Sequence, residues 1–230
     1  MKTIYQFLAA LLMLASCAPG HRAVRQQTSS RSAANAGPVS VLFVGNSYSF
    51  EVPKQLRRIA AGNGRKLRVA QVTHGGWSLA QHVEDGGALH EIREGGWDVV
   101  VIQEQSRIPA VPARRTREMI PNVRVLAREA RAAGAVPVLY QTWGRRDGDA
   151  HYSAGDDFMA MNRRLRDGYR EAARAAGGLT IVPVGDAWER EVSAGRRDEL
   201  FQADGSHPTP RGNRLAAETF YEALFSGKQL

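Results

Sequence analysis

Five short runs of apolar residues recur along the chain, spaced so that a helix fits between each pair. They are VSVLFVG (39–45), KLRVAQVT (66–73), WDVVVIQ (97–103), AVPVLYQTW (135–143) and LTIVPVG (179–185), each rich in Val, Ile or Leu and bounded by Gly or charge. Runs of this length and composition predict strands. Helical patterns occupy the stretches near 53–62, 78–94, 115–133 and 156–176, and a last one covers 209–226. Two carry local start signals: Ser78 with Gln81 fits a capping box, and Pro208 with Thr209 opens the last helix. Nearly continuous apolar strands separated by helices predict a five-stranded parallel sheet covered on both faces, a three-layer doubly wound α/β fold. Ligands of such sheets gather beyond the carboxyl ends of the strands, where the strand order switches. Ser47, residues 74–77, residues 103–106, Trp143 and the loop before the last helix are therefore expected along one rim.

The first 37 residues do not follow this pattern. MKTIYQFLAALLMLASC has a basic Lys2, an apolar run over 7–15 and small residues before Cys17, which reads as an export signal too short to span a bilayer. LASC (14–17) resembles the lipobox of bacterial lipoproteins. That resemblance implies cleavage after residue 16 and a lipid on the thiol of Cys17, with Ala18 favouring the outer membrane. Cys17 is the only cysteine, so it can form no intramolecular disulfide, and lipid attachment accounts for it. The expected location is the cell envelope, anchored by lipid and facing the periplasm; the alternative is an ordinary secretory signal that removes Cys17. Residues 18–37, aperiodic and rich in Ser, Gln and Ala, read as a flexible tether. The expected organisation is a signal at 1–16, lipidated Cys17 and tether at 17–37, and one domain at 38–230.

Composition agrees with one globular domain plus appendages: of 230 residues, 43% are hydrophobic and 23% charged, with no internal repeat. The net charge of +8 is uneven, because four cations and no anion precede Pro38. Cations beside a lipid anchor add attraction to anionic headgroups. The rest is an arginine-rich surface without a basic cluster interleaved with aromatics, so no nucleic-acid partner is expected.

The chemistry begins where the first strand breaks into GNS. Gly45, Asn46 and Ser47 can be turn residues and a helix cap on backbone grounds alone. Ser47 can instead be a nucleophile, which needs a base, an orienting acid and oxyanion donors on the same rim. The G-x-S-x-G elbow is not met, because position 49 is Ser. Of six histidines, His21 lies in the tether, and His82 and His90 lie on a helical pattern where packed or solvated roles are ordinary. No pair has the i, i+4 spacing of a helical metal site, so no metal is expected. His207 lies in FQADGSHPTP, three residues after Asp204, where a tight loop can bring the carboxylate to Nδ1 and leave Nε2 facing a serine. A polar turn capping the last helix is the other reading of that loop.

Taken together, VLFVGNSYS and DGSHPTPRG resemble the first and last blocks of the SGNH or GDSL-type hydrolases, over nearly the whole domain. The resemblance implies a flavodoxin-like fold, Ser47 as nucleophile, Asp204 as orienting acid and His207 as general base. It also implies an oxyanion hole of the Ser47 N–H, a glycine after the second strand and a side-chain amide after the third. THGGWS supplies Gly76, favoured over Gly75. Where the family shows G-x-N-D this chain has QEQS, a variant form, with Gln105 in register with the asparagine and Gln103 as its rival.

The expected reaction is hydrolysis of an ester through a Ser-Asp-His acyl-enzyme, with no cofactor. Rim segments containing Trp77 and Trp143 mix aromatic with polar residues, as a sugar site does, so an acetylated envelope or dietary carbohydrate is the expected small-molecule substrate. Both tryptophans can equally be core residues closing their strands. The alternatives are a lysophospholipase or thioesterase, and a non-catalytic envelope-anchored binding module.

Overall fold

The computed structural model describes residues 37–226. The export signal, Cys17 and nearly all of the tether lie outside these residues. Five strands, β1 (Val39–Gly45), β2 (Leu67–Thr73), β3 (Val99–Ile102), β4 (Val136–Tyr140) and β5 (Thr180–Val182), form one sheet in the order β2-β1-β3-β4-β5. Every pairing is parallel. The order reverses beside β1, whose two neighbours are β2 and β3, and this crevice is where a doubly wound sheet collects ligands.

Successive side chains of a strand point to opposite faces, and each face has its own core. Leu42, Val44, Val100, Ile102 and Leu139 pack under helices α2 (Leu79–Asp85), α3 (Gly87–Glu94), α5 (Ile120–Ala132) and α6 (Phe158–Ala175). Val41, Phe43, Val99, Val101 and Tyr140 pack under α1 (Val52–Gly62), α7 (Val184–Ser193) and α9 (Pro210–Phe225). Short helices α4 (Pro112–Arg114) and α8 (Arg197–Leu200) lie in the connections.

Three expected elements differ in detail. The helical stretch 78–94 is two helices, because Gly86 at φ 81° caps α2 and turns the chain into α3. The stretch 115–133 starts with a π-helical turn at Arg115–Met119 before α5 proper. The run 179–185 holds strand only as far as Val182; Val184 and Gly185 already belong to α7, which the sequence reading did not foresee. There Val184, Ala187 and Trp188 are buried at helical spacing. Both start signals have structural counterparts. Ser78 N–H donates to Gln81 Oε1 at 2.9 Å, and Thr209 caps α9 by accepting from Gly212 N–H, with Pro210 in the first turn.

Candidate active site

The turn after β1 is set by Gln103, the first residue after β3. Gln103 is fully buried, and its amide has four partners: Oε1 accepts from Asn46 N–H and Ser49 Oγ, each at 2.9 Å, while Nε2 donates to Asn46 Oδ1 and to the Glu104 carbonyl. A Cβ at position 45 would stand 2.4 Å from Gln103 Oε1, so glycine is required there by close approach. The amide of Asn46 in turn donates to the Trp77 carbonyl at 2.9 Å, joining the loops after β1 and β2. Ser47 stands at the head of a 3₁₀ turn, Ser47–Ser49, at the β1/β3 crevice.

His207 reaches the same place from 160 residues away. Phe201 and Pro208 pair in an antiparallel bridge, and Gln202 N–H donates to the His207 carbonyl at 2.9 Å, closing the loop at its base. Gly205, at φ 64°, allows the turn between Asp204 and His207. His207 Nε2 lies 2.9 Å from Ser47 Oγ, and Nδ1 lies 2.5 Å from Asp204 Oδ2. Asp204 Oδ1 also accepts from the backbone N–H of Ser206 and of His207 at 2.9 and 3.0 Å. Burial pushes the Asp204 carboxyl up, but the His207 imidazole and those two N–H groups outweigh it and hold its pKa down at about 2. A hydroxyl 2.9 Å from an imidazole nitrogen is within reach of proton transfer, and the ionised carboxylate fixes Nδ1 as the protonated nitrogen.

Ser47, Gly76, Gln105, Ser106, Arg145 and His207 line a cavity of 190 Å³. Among the described residues no hydrogen bond takes up the Gly76 N–H or the Gln105 side-chain amide nitrogen; the Gln105 Oε1 accepts from Arg107 N–H at 2.8 Å. On the other side of the Ser47–His207 pair a hollow of 400 Å³ is lined by Phe50, Glu51, Gln202 and Pro208. Two larger hollows, of 680 and 560 Å³, lie along α7 and α9 away from Ser47. Their charged walls are already matched, as in Arg211 with Glu191 and Arg166 with Asp186.

The expected rim residues separate. Gln105 and Gly76 stand on the cavity with Ser47, whereas Gln103 is consumed in the scaffold beneath it. Trp143, expected on the substrate rim, is fully buried. It is the middle of a three-ring stack, 4.5 Å from Tyr48 and 4.0 Å from Trp188, and the Tyr48 ring meets His207 edge-on at 5.6 Å. Its role is core: its Nε1 donates to the Ser206 carbonyl at 3.2 Å, bracing the His207 loop. Trp77 is half-buried, stacked on His74 at 4.0 Å and set against buried His82, and it lines neither cavity beside Ser47. His82 donates through Nε2 to the Gly45 carbonyl at 2.7 Å, a packed role. Tyr48, Ser206 and Arg145 belong to the cavity wall and were not singled out from the sequence. The rim segment around Trp143, QTWGRRDGDAHY (141–152), with its mix of aromatic and polar residues, was the available signal for Arg145.

Glu104, next in the chain to Gln105, is fully buried. Its Oε1 accepts from Leu79 N–H at 3.0 Å and from Gln105 N–H at 2.7 Å, so one carboxyl ties the start of α2 to the loop after β3.

No protein-family model matches the chain, and neither does any curated protein. Solved structures do. A Bacteroides uniformis protein of the DUF4886 family is 20% identical, with 83% of this chain and 84% of that one covered and a TM-score of 0.69. An acetyl xylan esterase is 14% identical, covering 81% of this chain and all of that one at a TM-score of 0.63; at these identities the likeness is one of fold. A protein of Slackia heliotrinireducens assigned to the SGNH hydrolases is 32% identical over 82% of this chain and the whole of that one, with a TM-score of 0.68. At that identity and coverage the chain belongs to the SGNH hydrolases, and it is a hydrolase acting on ester bonds.

Proposed function

We propose that Ser47 is the nucleophile of a serine esterase, with His207 as general base and Asp204 as its orienting acid. Ser47 Oγ attacks the ester carbonyl as His207 Nε2 takes its proton. The tetrahedral oxyanion is met by the N–H groups of Ser47 and Gly76 and by the Gln105 amide. As the alcohol leaves, the C–O bond breaks and His207 returns the proton to it; water, deprotonated by the same nitrogen, then releases the acid from the acyl-enzyme. The observation that carries this reading is the Ser47–His207–Asp204 chain at 2.9 and 2.5 Å. No cofactor enters the reaction.

The preferred substrate is a short-chain ester of a carbohydrate. A cavity of 190 Å³ is small beside the roughly 300–1,000 Å³ of ordinary ligand pockets, and its wall of hydroxyl, amide and guanidinium groups favours an acetyl over a long acyl chain. The fold shared with an acetyl xylan esterase supports this choice. A fluorophosphonate should label Ser47, and a chain-length series should peak at acetate, with acetate released from an acetylated glycan. A peak at eight carbons or more would favour a lysophospholipase or thioesterase; no labelling and no turnover of any ester would favour the binding module. Placement in the envelope rests on LASC alone: Cys17→Ser should remove the diacylglyceryl mass and firm membrane association, and a wild-type protein of unmodified mass would overturn the anchor.

A further inference from the structure

Arg145 shares the cavity with Ser47 and His207, and it is held differently from the arginines near it. Arg107 is paired with Asp149 at 2.7 Å and Arg146 with Asp147 at 3.1 Å. Among the described residues no carboxylate comes within 4.0 Å of the Arg145 guanidinium. Among the described residues its one side-chain hydrogen bond goes to Ser106 Oγ at 3.3 Å, and its Nε is buried without an acceptor. A guanidinium N–H taken out of water with no acceptor costs free energy. The donors a ligand can meet are the guanidinium's other N–H groups, which hold one long hydrogen bond and no counter-ion among the described residues.

The surroundings favour an anion. Among the described residues no acidic side chain lines the cavity. The hydroxyl of Ser106 and the hydroxyls of Tyr48 and Ser206, the last two hydrogen-bonded to each other at 2.6 Å, stand on the same wall. The Arg145 backbone is anchored independently of any counter-ion: its N–H points at Met161 Sδ at 3.3 Å, and the preceding Gly144 N–H donates to buried Asn162 Oδ1 at 3.1 Å. The backbone at Arg145 is therefore held without a counter-ion, and a planar guanidinium matches a carboxylate with two parallel hydrogen bonds.

We propose that Arg145 anchors a carboxylate that the substrate carries next to its scissile ester. This rests on the serine-esterase reading above and narrows its substrate class to esters of acidic molecules. The carboxylate can stand on the alcohol, as in an O-acetylated uronic acid, or on the acyl group, as in a half-ester of a dicarboxylic acid.

Matched pairs of substrates separate these cases. One pair is an O-acetylated uronic acid and its methyl ester; the other is p-nitrophenyl hemisuccinate and its methyl ester. Wild-type enzyme should prefer the free acid in at least one pair by about tenfold or more in kcat/KM, chiefly through KM, and Arg145→Gln should bring that ratio to within about twofold of one. Arg145→Lys should keep part of the preference, as a point charge without the fork. A wild-type ratio near one in both pairs would overturn the proposal. So would an equal loss on acid and methyl ester in Arg145→Gln, which would make the residue structural or a general oxyanion donor. If no ester of any kind is turned over, the esterase reading fails first, and calorimetry decides Arg145 separately. Ser47→Ala protein should then bind the free uronic acid or succinate and lose that binding when Arg145→Gln is added; equal binding by both proteins, or none by either, would overturn the anchor.

Discussion

Ser47 stands between two walls built in opposite ways. On the proposed oxyanion side the loops after β1, β2 and β3 are knitted together by the buried side chains of Asn46, Gln103 and Glu104, which between them accept or donate eight hydrogen bonds to neighbouring loops and turns. On the base side, Asp204 and His207 sit in a half-exposed loop held by its own turn and by the Tyr48–Trp143–Trp188 stack behind it. Donors for a developing charge gain from rigid, dry placement before the reaction. A base that must take and return a proton gains from an ionised partner and contact with water. The two carboxyls follow the same division: Asp204 is held at about 2, whereas burial pushes Glu104 up to about 7, against the lowering effect of the Gln105 and Leu79 N–H groups.

The difference is broken most severely on the base side. Ser47→Ala or His207→Ala should reduce turnover of a short activated ester by about 10⁴-fold or more, with the thermal unfolding curve little changed. Asp204→Ala should cost less, because the role proposed for Asp204 is to orient the imidazole and not to take the proton. An Asp204 variant as inactive as the His207 variant would assign it a larger part than orientation.

On the oxyanion side the two glutamines should fail differently. Gln105→Ala should lower kcat by about 10²- to 10³-fold with little change in KM, as for a lost oxyanion donor. Gln103→Ala instead orphans the Asn46 N–H and the Ser49 hydroxyl, at about 1–3 kcal/mol for each, so it should lower the denaturation midpoint first. The reverse pattern, stable but slow for Gln103→Ala, would move the donor to that residue.

The smallest effect is in the pH dependence of stability. Glu104, ordinarily near 4.5 when solvated, titrates near 7 in the native state, so the native state holds more protons between those values. Stability therefore falls as pH rises from 4.5 to 7, by at most about 3 kcal/mol. The charged neighbours felt by Glu104 are Glu118, which raises its pKa, and Arg114, which lowers it. Asp204 has the opposite sign: its contribution is present above 3.8 and is lost as pH falls toward 2, and it is small because the group is half exposed. Denaturant midpoints measured across pH should show a flatter loss between 4.5 and 7 for Glu104→Gln, and an unchanged slope would place that titration on another group.

Several parts of this arrangement were legible in the sequence. β1 was read to the residue because a fully buried strand is a continuous apolar run stopped by Gly45. The reading of β5 ran too far for the same reason: Val184 and Gly185 extend the apolar run, and only the buried spacing of Val184, Ala187 and Trp188 shows that the chain has turned into a helix. Asp204 and His207 were paired from their spacing, since a three-residue loop is a local object. Trp143 was misjudged because a tryptophan at a strand end looks alike whether it meets a sugar or a second tryptophan, and Trp188 lies 45 residues further on.

What the sequence determined by itself is the alternation of strand and helix, the rim on which the candidate residues gather, and the short Asp204–His207 turn, all of which follow from periodicity or loop chemistry within a few residues. Only the tertiary structure decided that His207 meets Ser47 across 160 positions, that Gln103 turns into the scaffold while Gln105 stands on the cavity, and that Arg145 faces that cavity with no counter-ion among the described residues. Gln103 and Gln105 differ by two positions, so strand alternation gives them the same side. They part because β3 ends at Ile102 and Gln103 fills the space that Gly45, lacking a Cβ, leaves on the neighbouring strand.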